Sequence, residues 1–234
     1  MFFNQGENES PLHFDDLTIG YRKGRREVVV ASGLSATLER GKLTCLLGRN
    51  GTGKSTLLRT LAGLQPPLNP QLSTLNSQLS TLNSQPSVAL VLTQRPDLRN
   101  LTAEEVVGLG RTPHTNFWGT LSADDRRIVA ESLHLVGIET LANRPFETLS
   151  DGEQQKVMIA KALAQQTPMI FLDEPTAFLD FISRRELFAL LKRLAHDHGK
   201  AILLTTHDLA LAEEFADTTW LLEDGKLQVS RPQK

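Results

Sequence analysis

One run of eight residues, Gly48-Arg49-Asn50-Gly51-Thr52-Gly53-Lys54-Ser55, carries the most specific chemical signal in the chain. It fits the spacing Gly-x-x-x-x-Gly-Lys-Ser/Thr between an apolar run and a helical one, with Thr56 next in line. Glycines let the backbone wrap an anion. Successive N–H groups and a helix N-terminus then point at the β and γ phosphates of a polyphosphate, Lys54 adds a cation, and Ser55 offers a hydroxyl to Mg²⁺. A second cluster follows far along the chain, where the apolar run Ile170-Phe171-Leu172 ends in Asp173-Glu174. A strand ending this way puts both carboxylates at the carboxyl edge of a sheet, where open α/β folds bind ligands. Asp173 suits Mg²⁺, through water, and Glu174 is the candidate to polarise an attacking water.

These residues need a sheet behind them, and the hydrophobic pattern supplies one. Leu43 to Leu47, Val88 to Thr93, Met169 to Leu172 and Ala201 to Thr205 are short, wholly apolar or β-branched runs of the kind buried mid-sheet. Helical segments at Lys54 to Leu64 and from about Arg184 to His196 alternate with them, which implies a largely parallel sheet covered on both faces. Leu12 to Tyr21 and Glu27 to Glu39 read instead as antiparallel strands with one wet face, and Glu223-Asp224-Gly225 marks a hairpin near the end. From Thr102 to Gln166 the pattern is helical, with possible capping boxes at Thr102-x-x-Glu105, Ser122-x-x-Asp125 and Ser150-x-x-Glu153. Between Arg59 and Arg95 no residue is charged, and QLSTLNS occurs twice in tandem at 71–77 and 78–84. That segment is expected to be a low-complexity surface insertion.

Composition excludes several classes. The 234 residues carry a net charge of -2, 40% hydrophobic and 22% charged residues, and one cysteine, Cys45, expected to pack as a small apolar residue. A disulfide scaffold is ruled out, and a dedicated nucleic-acid binder would show a basic surplus, although the local run Arg22 to Arg26 escapes that argument. No apolar stretch approaches the roughly 20 residues of a membrane span, and Met1 to Pro11 lacks the features of a signal peptide, so a cytoplasmic location is expected. His196-x-His198 is expected to be a solvated helix end.

Leu149-Ser150-Asp151-Gly152-Glu153-Gln154, just ahead of the Asp-Glu strand, resembles the signature motif of ATP-binding cassette (ABC) proteins, usually Leu-Ser-Gly-Gly-Gln. The resemblance runs from residue 14 to about 230 and implies the ABC ATPase fold: an α/β P-loop NTPase with a RecA-like core, an antiparallel β-subdomain and a helical subdomain. One domain is expected over 1–234, with a flexible N-terminus at 1–11, a nucleotide-binding core at 12–95 and 166–234, the insertion at 65–87 and the helical signature subdomain at 96–165. ATP and Mg²⁺ are the implied ligands. The resemblance further implies that Gln94 is the Q-loop glutamine near the metal, Asp180 the D-loop acid, His207 the switch histidine that reaches the γ phosphate, and Tyr21 the aromatic that stacks on adenine. In this family two cassettes clamp two ATPs head to tail, so Ser150, Gly152 and Glu153 of one copy complete the other's site. Asp151 departs from the usual glycine, and a carboxylate there either turns away from phosphate or weakens the closed pair.

Leu109-Gly110-Arg111-Thr112-Pro113-His114, Ala162-Leu163-Ala164-Gln165 and Glu174-Pro175-Thr176-Ala177-Phe178-Leu179-Asp180 resemble the ATPases of importers for iron-siderophore, haem or cobalamin. That likeness implies membrane-spanning permease subunits, indirectly a periplasmic solute-binding protein, no nucleic acid, and a peripheral place on the inner face of the membrane. It puts the permease groove near Gln94, Arg95 and 110–114, with Arg111 facing either the partner or an acid of its own subdomain. A soluble ABC ATPase without a transport role, such as an iron-sulfur assembly component, is the alternative. The repeat replaces a charged hairpin of the family, so part of the antiparallel subdomain is expected to be missing. Because no assigned contact falls within 71–84, deleting one QLSTLNS copy should leave ATPase activity within about twofold, closure entropy varying slowly with loop length. Phosphate release by the shortened chain checks this, and a large loss would place the segment in the nucleotide site.

Overall fold

The computed structural model describes residues 12–24, 26–69, 88–93, 98–115 and 118–231. Gln94, Arg95, the tandem repeat and the 1–11 segment lie outside the described residues. Strands β1 (Leu12–Lys23) and β2 (Arg26–Leu38) pair antiparallel into a separate two-stranded sheet. Strands β3 (Leu43–Leu47), β4 (Val88–Val91), β5 (Met169–Leu172), β6 (Ala201–Thr206), β7 (Thr218–Glu223) and β8 (Lys226–Ser230) form the second sheet, in the order β4-β5-β6-β3-β7-β8. Only the β7–β8 pair is antiparallel. Its turn is the one marked by Glu223-Asp224-Gly225, because Asp224 and Gly225 both take positive φ, at 49° and 72°, as a two-residue hairpin loop requires.

The continuous apolar runs are explained by burial on both faces of the sheet. Cys45, Ile170, Leu172, Ile202 and Leu204 join one apolar cluster, whereas Leu46, Phe171 and Leu203 join the other, the period of two that a pleated strand imposes. The β1–β2 sheet and helix α1 (Lys54–Leu61) cover the second face, where Phe14 meets Trp220 edge-on with ring centroids 5.7 Å apart. Helices α2 (Ala103–Gly108), α3 (Ala123–Leu135), α4 (Asp151–Ala164), α5 (Phe181–His198) and α6 (Leu209–Phe215) share the first cluster, so the helical subdomain and the core are welded by one apolar interior.

Each of the three expected capping boxes forms, at Thr102, Ser122 and Ser150. Helix α5 begins ahead of its expected start near Arg184, because Asp180 caps it by accepting from the Ser183 N–H. Of the 65–87 insertion the described part, 65–69, lies along β1: Leu68 N–H donates to the Thr18 carbonyl at 2.9 Å, and Asn69 accepts from Thr18 N–H at 2.9 Å. The His196 ring pairs with Asp217 at 2.8 Å, while burial pushes the Cys45 thiol up out of its ordinary range.

Arg111 is not on a docking surface. It is buried in the 3₁₀ turn Leu109–His114, where Nε donates to Asp125 at 2.8 Å and Nη1 to the Ala164 carbonyl at 2.7 Å and to Gln166 at 2.9 Å. A guanidinium fork has enough donors to join the end of α2, the start of α3 and the end of α4. Asp125 serves the α3 capping box with the same carboxyl, and the Ser122 hydroxyl and then Arg111 hold it down to about 2 from 3.8. Arg111→Ala should therefore destabilise the fold by about 3–5 kcal/mol, since it strands a buried acid, as urea unfolding would measure. A carboxyl depressed on folding stabilises above its unfolded value, so this contribution should be lost as pH falls from 3.8 towards about 2.

Candidate functional site

The glycines of the phosphate loop sit where side chains cannot. A Cβ on Gly48, at φ 155°, would come within 2.6 Å of the Leu222 carbonyl oxygen, and one on Gly53, at φ 105°, within 2.4 Å of Val30 on β2. The loop is thus pressed between the β7 end and the two-stranded sheet, and it is closed internally by Thr52, whose hydroxyl donates to the Arg49 carbonyl at 2.9 Å. Gly51 also takes positive φ, at 83°, and Arg49 and Asn50 are exposed at the tip. Helix α1 starts from Gly53 with no side-chain cap and no acid in its first turn, whereas every other α-helix among the described residues has a capping side chain. Its orphan first-turn N–H groups are therefore available to an anion, and the partly buried Ser55 and Thr56 lie in that turn.

Lys54 is buried and folds back over the loop, with Nζ donating to the Gly48 carbonyl at 2.8 Å and to that of Arg49 at 3.2 Å. Glu174 stands 3.5 Å from the same ammonium and 3.1 Å from the His207 ring, so its carboxylate bridges the loop cation and the imidazole. Ser55 Oγ donates to Asp173 at 2.8 Å, across a sequence separation of 118 residues. Sheet order explains the meeting: β3 leads into the loop, β5 ends at Asp173-Glu174, and β6, between them, ends at His207.

Thr205 is the residue that sequence reasoning missed. Its buried hydroxyl donates to Asp173 at 2.9 Å and accepts the Glu174 N–H at 2.7 Å, holding both acids at once. Glu174 sits at φ 48°, an unusual backbone for a non-glycine residue, and that single N–H bond helps to hold it there. Thr93 adds a bond to the Asp173 carbonyl at 2.7 Å. The only sequence signal for Thr205 was its place in Thr205-Thr206-His207-Asp208, beside the histidine. Asp208 caps α6 through Leu211 N–H at 3.1 Å, which fixes the turn carrying His207.

The other expected residues fall in two places. Tyr21 lies half-exposed on β1, two residues beyond the Ile19 that faces Gly53. Ser150, Gly152 and Glu153 open α4, with Gly152 facing Ser183 at the start of α5. The Ser150 hydroxyl donates to the Glu153 carboxylate at 2.8 Å and accepts that residue's N–H at 3.4 Å, and the Ser150 N–H also holds the Glu153 carboxyl below its ordinary range. Asp180 is likewise held low by Ser183 as the α5 cap. The described partners of Lys54 are Gly48, Arg49 and Glu174, and neither group is among them.

The fit to ligands is chemical as well as spatial. The glycine cradle and uncapped helix suit a triphosphate, and Ser55 with Asp173 offers the hard oxygens that Mg²⁺ takes beside phosphate oxygens. Among the described residues no cluster of three His, Cys, Asp or Glu side chains would cage an ion by itself. Bound there, Mg²⁺ would neutralise developing phosphate charge. Glu174 is placed to accept a proton from water, and His207 to donate to a phosphate oxygen. A phosphate cradle joined to a carboxylate-imidazole pair defines a P-loop nucleoside triphosphatase.

Comparison with known proteins makes this specific. A sequence model described as ABC transporter matches residues 31–177. The chain is 39% identical over 206 residues to the achromobactin transport ATP-binding protein of Dickeya dadantii, covering 86% of this chain and 75% of that one. It is 38% identical over 218 residues to the iron(3+)-hydroxamate import ATP-binding protein of Bacillus subtilis, covering 92% and 79%. Among solved structures, the dimeric bacterial ABC transporter cassette MJ0796 superposes with a TM-score of 0.75 at 26% identity, over 95% of this chain and 99% of that one. The chain belongs to the ABC transporter family and is its ATP-binding, ATP-hydrolysing cassette.

Two variants follow from this geometry. Lys54→Ala should abolish useful ATP binding, because it removes the cation of the cradle; near-normal affinity by fluorescent-nucleotide titration would contradict the assignment. Thr205→Val keeps shape but releases Asp173 and Glu174, so kcat should fall by about 10- to 100-fold while nucleotide affinity stays within about threefold. Phosphate release and nucleotide titration separate the two effects.

Proposed function

We propose that this chain is the motor subunit of an importer for an iron chelate, of the siderophore, haem or cobalamin class, and that it works as a pair on membrane-spanning permease subunits. Lys54, Glu174 and His207 within reach of one another carry the ATP-hydrolysing half of this reading. The transport half rests on the relatives, one named as an achromobactin transport ATP-binding protein and the other as an iron(3+)-hydroxamate import ATP-binding protein. Ser55, Asp173 and Gln94 hold Mg²⁺, Tyr21 packs on adenine, and Ser150, Gly152, Glu153 and Asp180 meet the triphosphate of a second copy. No helix among the described residues is long and apolar enough to cross a membrane, which fits a motor held at the inner face by its permease and served by a periplasmic solute-binding protein.

Glu174→Gln keeps shape and hydrogen bonding but loses the base, so hydrolysis should fall by about 10² to 10⁴ while ATP binding persists. The variant should accumulate as an ATP-bound dimer in size-exclusion chromatography. In vesicles carrying the permease, the native chain should drive ATP-dependent uptake of ferric hydroxamate and the variant should not. Equal uptake with both would overturn the motor assignment.

A further inference from the structure

The amino edge of the large sheet, opposite the nucleotide site, carries a cavity between two helix-to-strand joints. Gln166 lies between the end of α4 and β5, and Lys200 between the end of α5 and β6. Because β5 and β6 pair in parallel, with Met169 opposite Ala201, the two joints lie side by side. Gly199 closes α5 at φ 60°, so the chain turns at once into Lys200 and β6. Gln166 takes φ 56°, a conformation that a residue with a side chain keeps only where its surroundings fix it. Against these joints α3 closes a cavity of about 250 Å³, walled by Ile128, Leu135 and Leu163 and by Gln166, His198 and Lys200. That is just below the roughly 300 Å³ at which small-molecule sites begin.

The chemistry of the wall selects an anion with an apolar body. Lys200 is 4% exposed, and its Nζ donates to the Thr167 carbonyl at 2.6 Å. Burial, and then the positive charge of Arg40, push this ammonium down to about 8 from 10.5, so it still carries its charge at pH 7. An anion brought into the cavity would offset both effects. The Gln166 amide oxygen accepts from Arg111 at 2.9 Å, so what this side chain offers a ligand is its N–H pair. Ammonium and amide N–H groups are the donors that a carboxylate takes. Of the other charged groups in the wall, Glu131 accepts from Arg127 at 2.8 Å and His134 pairs with Glu139 at 3.3 Å. A second cavity of about 210 Å³ shares His134, Leu135 and His198 with the first and is backed by Leu190 and Leu194 of α5, which gives further room to a short tail.

We propose that this cavity binds a small amphipathic carboxylate of the size of a medium-chain fatty acid, its carboxylate on Lys200 and the Gln166 N–H pair and its apolar body against Ile128, Leu135 and Leu163. Such a ligand joins α3 and α4 of the helical subdomain to β6 of the core. It touches the far ends of the two elements whose near ends carry Ser150 and His207. The length of β6 separates Lys200 from His207 by roughly 20 Å at the rise of a strand, so the acid and the nucleotide occupy distinct sites.

The experiment is calorimetric titration of the native chain with octanoate at pH 7, beside acetate, which keeps the head without the tail, and octylamine, which keeps the tail and reverses the charge. Octanoate should saturate a single site, and each control should bind at least about tenfold more weakly. Lys200→Met keeps the stem and removes the charge, and Leu135→Trp fills the cavity from a half-buried wall. Each should weaken octanoate by about tenfold or more while phosphate release stays within about twofold, since neither residue approaches the nucleotide. If Lys200→Met does not fold by circular dichroism, Leu135→Trp decides. A non-hydrolysable ATP analogue should leave octanoate affinity within about threefold, and displacement by it would put the acid in the nucleotide site and overturn the proposal. No saturable octanoate binding, octylamine matching octanoate, or native affinity in the folded variants would overturn it equally.

Discussion

A buried ammonium is the constraint on which the site depends. Lys54 is nearly withdrawn from water, and removing a cation from water is costly unless polar groups replace the hydration shell. Here two main-chain carbonyls, of Gly48 and Arg49, and the carboxylate of Glu174 do so. Those carbonyls can turn inward only because Gly48, Gly51 and Gly53 take backbone conformations closed to other residues. The loop in turn needs the β3 end beneath it and Val30 of the small sheet above it. The two sheets, which sequence pattern treats as separate, are locked together at this point.

A second organising pattern is the treatment of helix ends. Thr102, Ser122, Ser150, Asp180 and Asp208 each satisfy the first N–H groups of their helices, and α1 alone of the described α-helices is left without such a group. Helices that only support the fold use side chains to finish their termini, and the helix that meets phosphate leaves its own open. The signature helix α4 falls in the first class within a single copy, because Ser150 and Glu153 satisfy each other.

The alternation of apolar runs with helical segments, the capping boxes, the Asp-Gly hairpin and the glycine-lysine-serine run were all readable in the sequence, because each depends on residues a few positions apart. They were enough to name the α/β class, the phosphate cradle and the Asp173-Glu174 pair. Arg111 was not readable in this way. Its three partners lie 14, 53 and 55 residues away, and only the packing of α2, α3 and α4 decides that it is buried and not offered to a partner. Thr205 failed for the same reason: a threonine ending an apolar run is unremarkable until β6 is placed between β3 and β5, where its hydroxyl meets acids 31 and 32 residues distant. Local spacing can specify which groups are able to bind phosphate, but the order of strands decides which of them meet, since a hydrogen bond of under 3 Å between distant segments exists only once the sheet has set their positions.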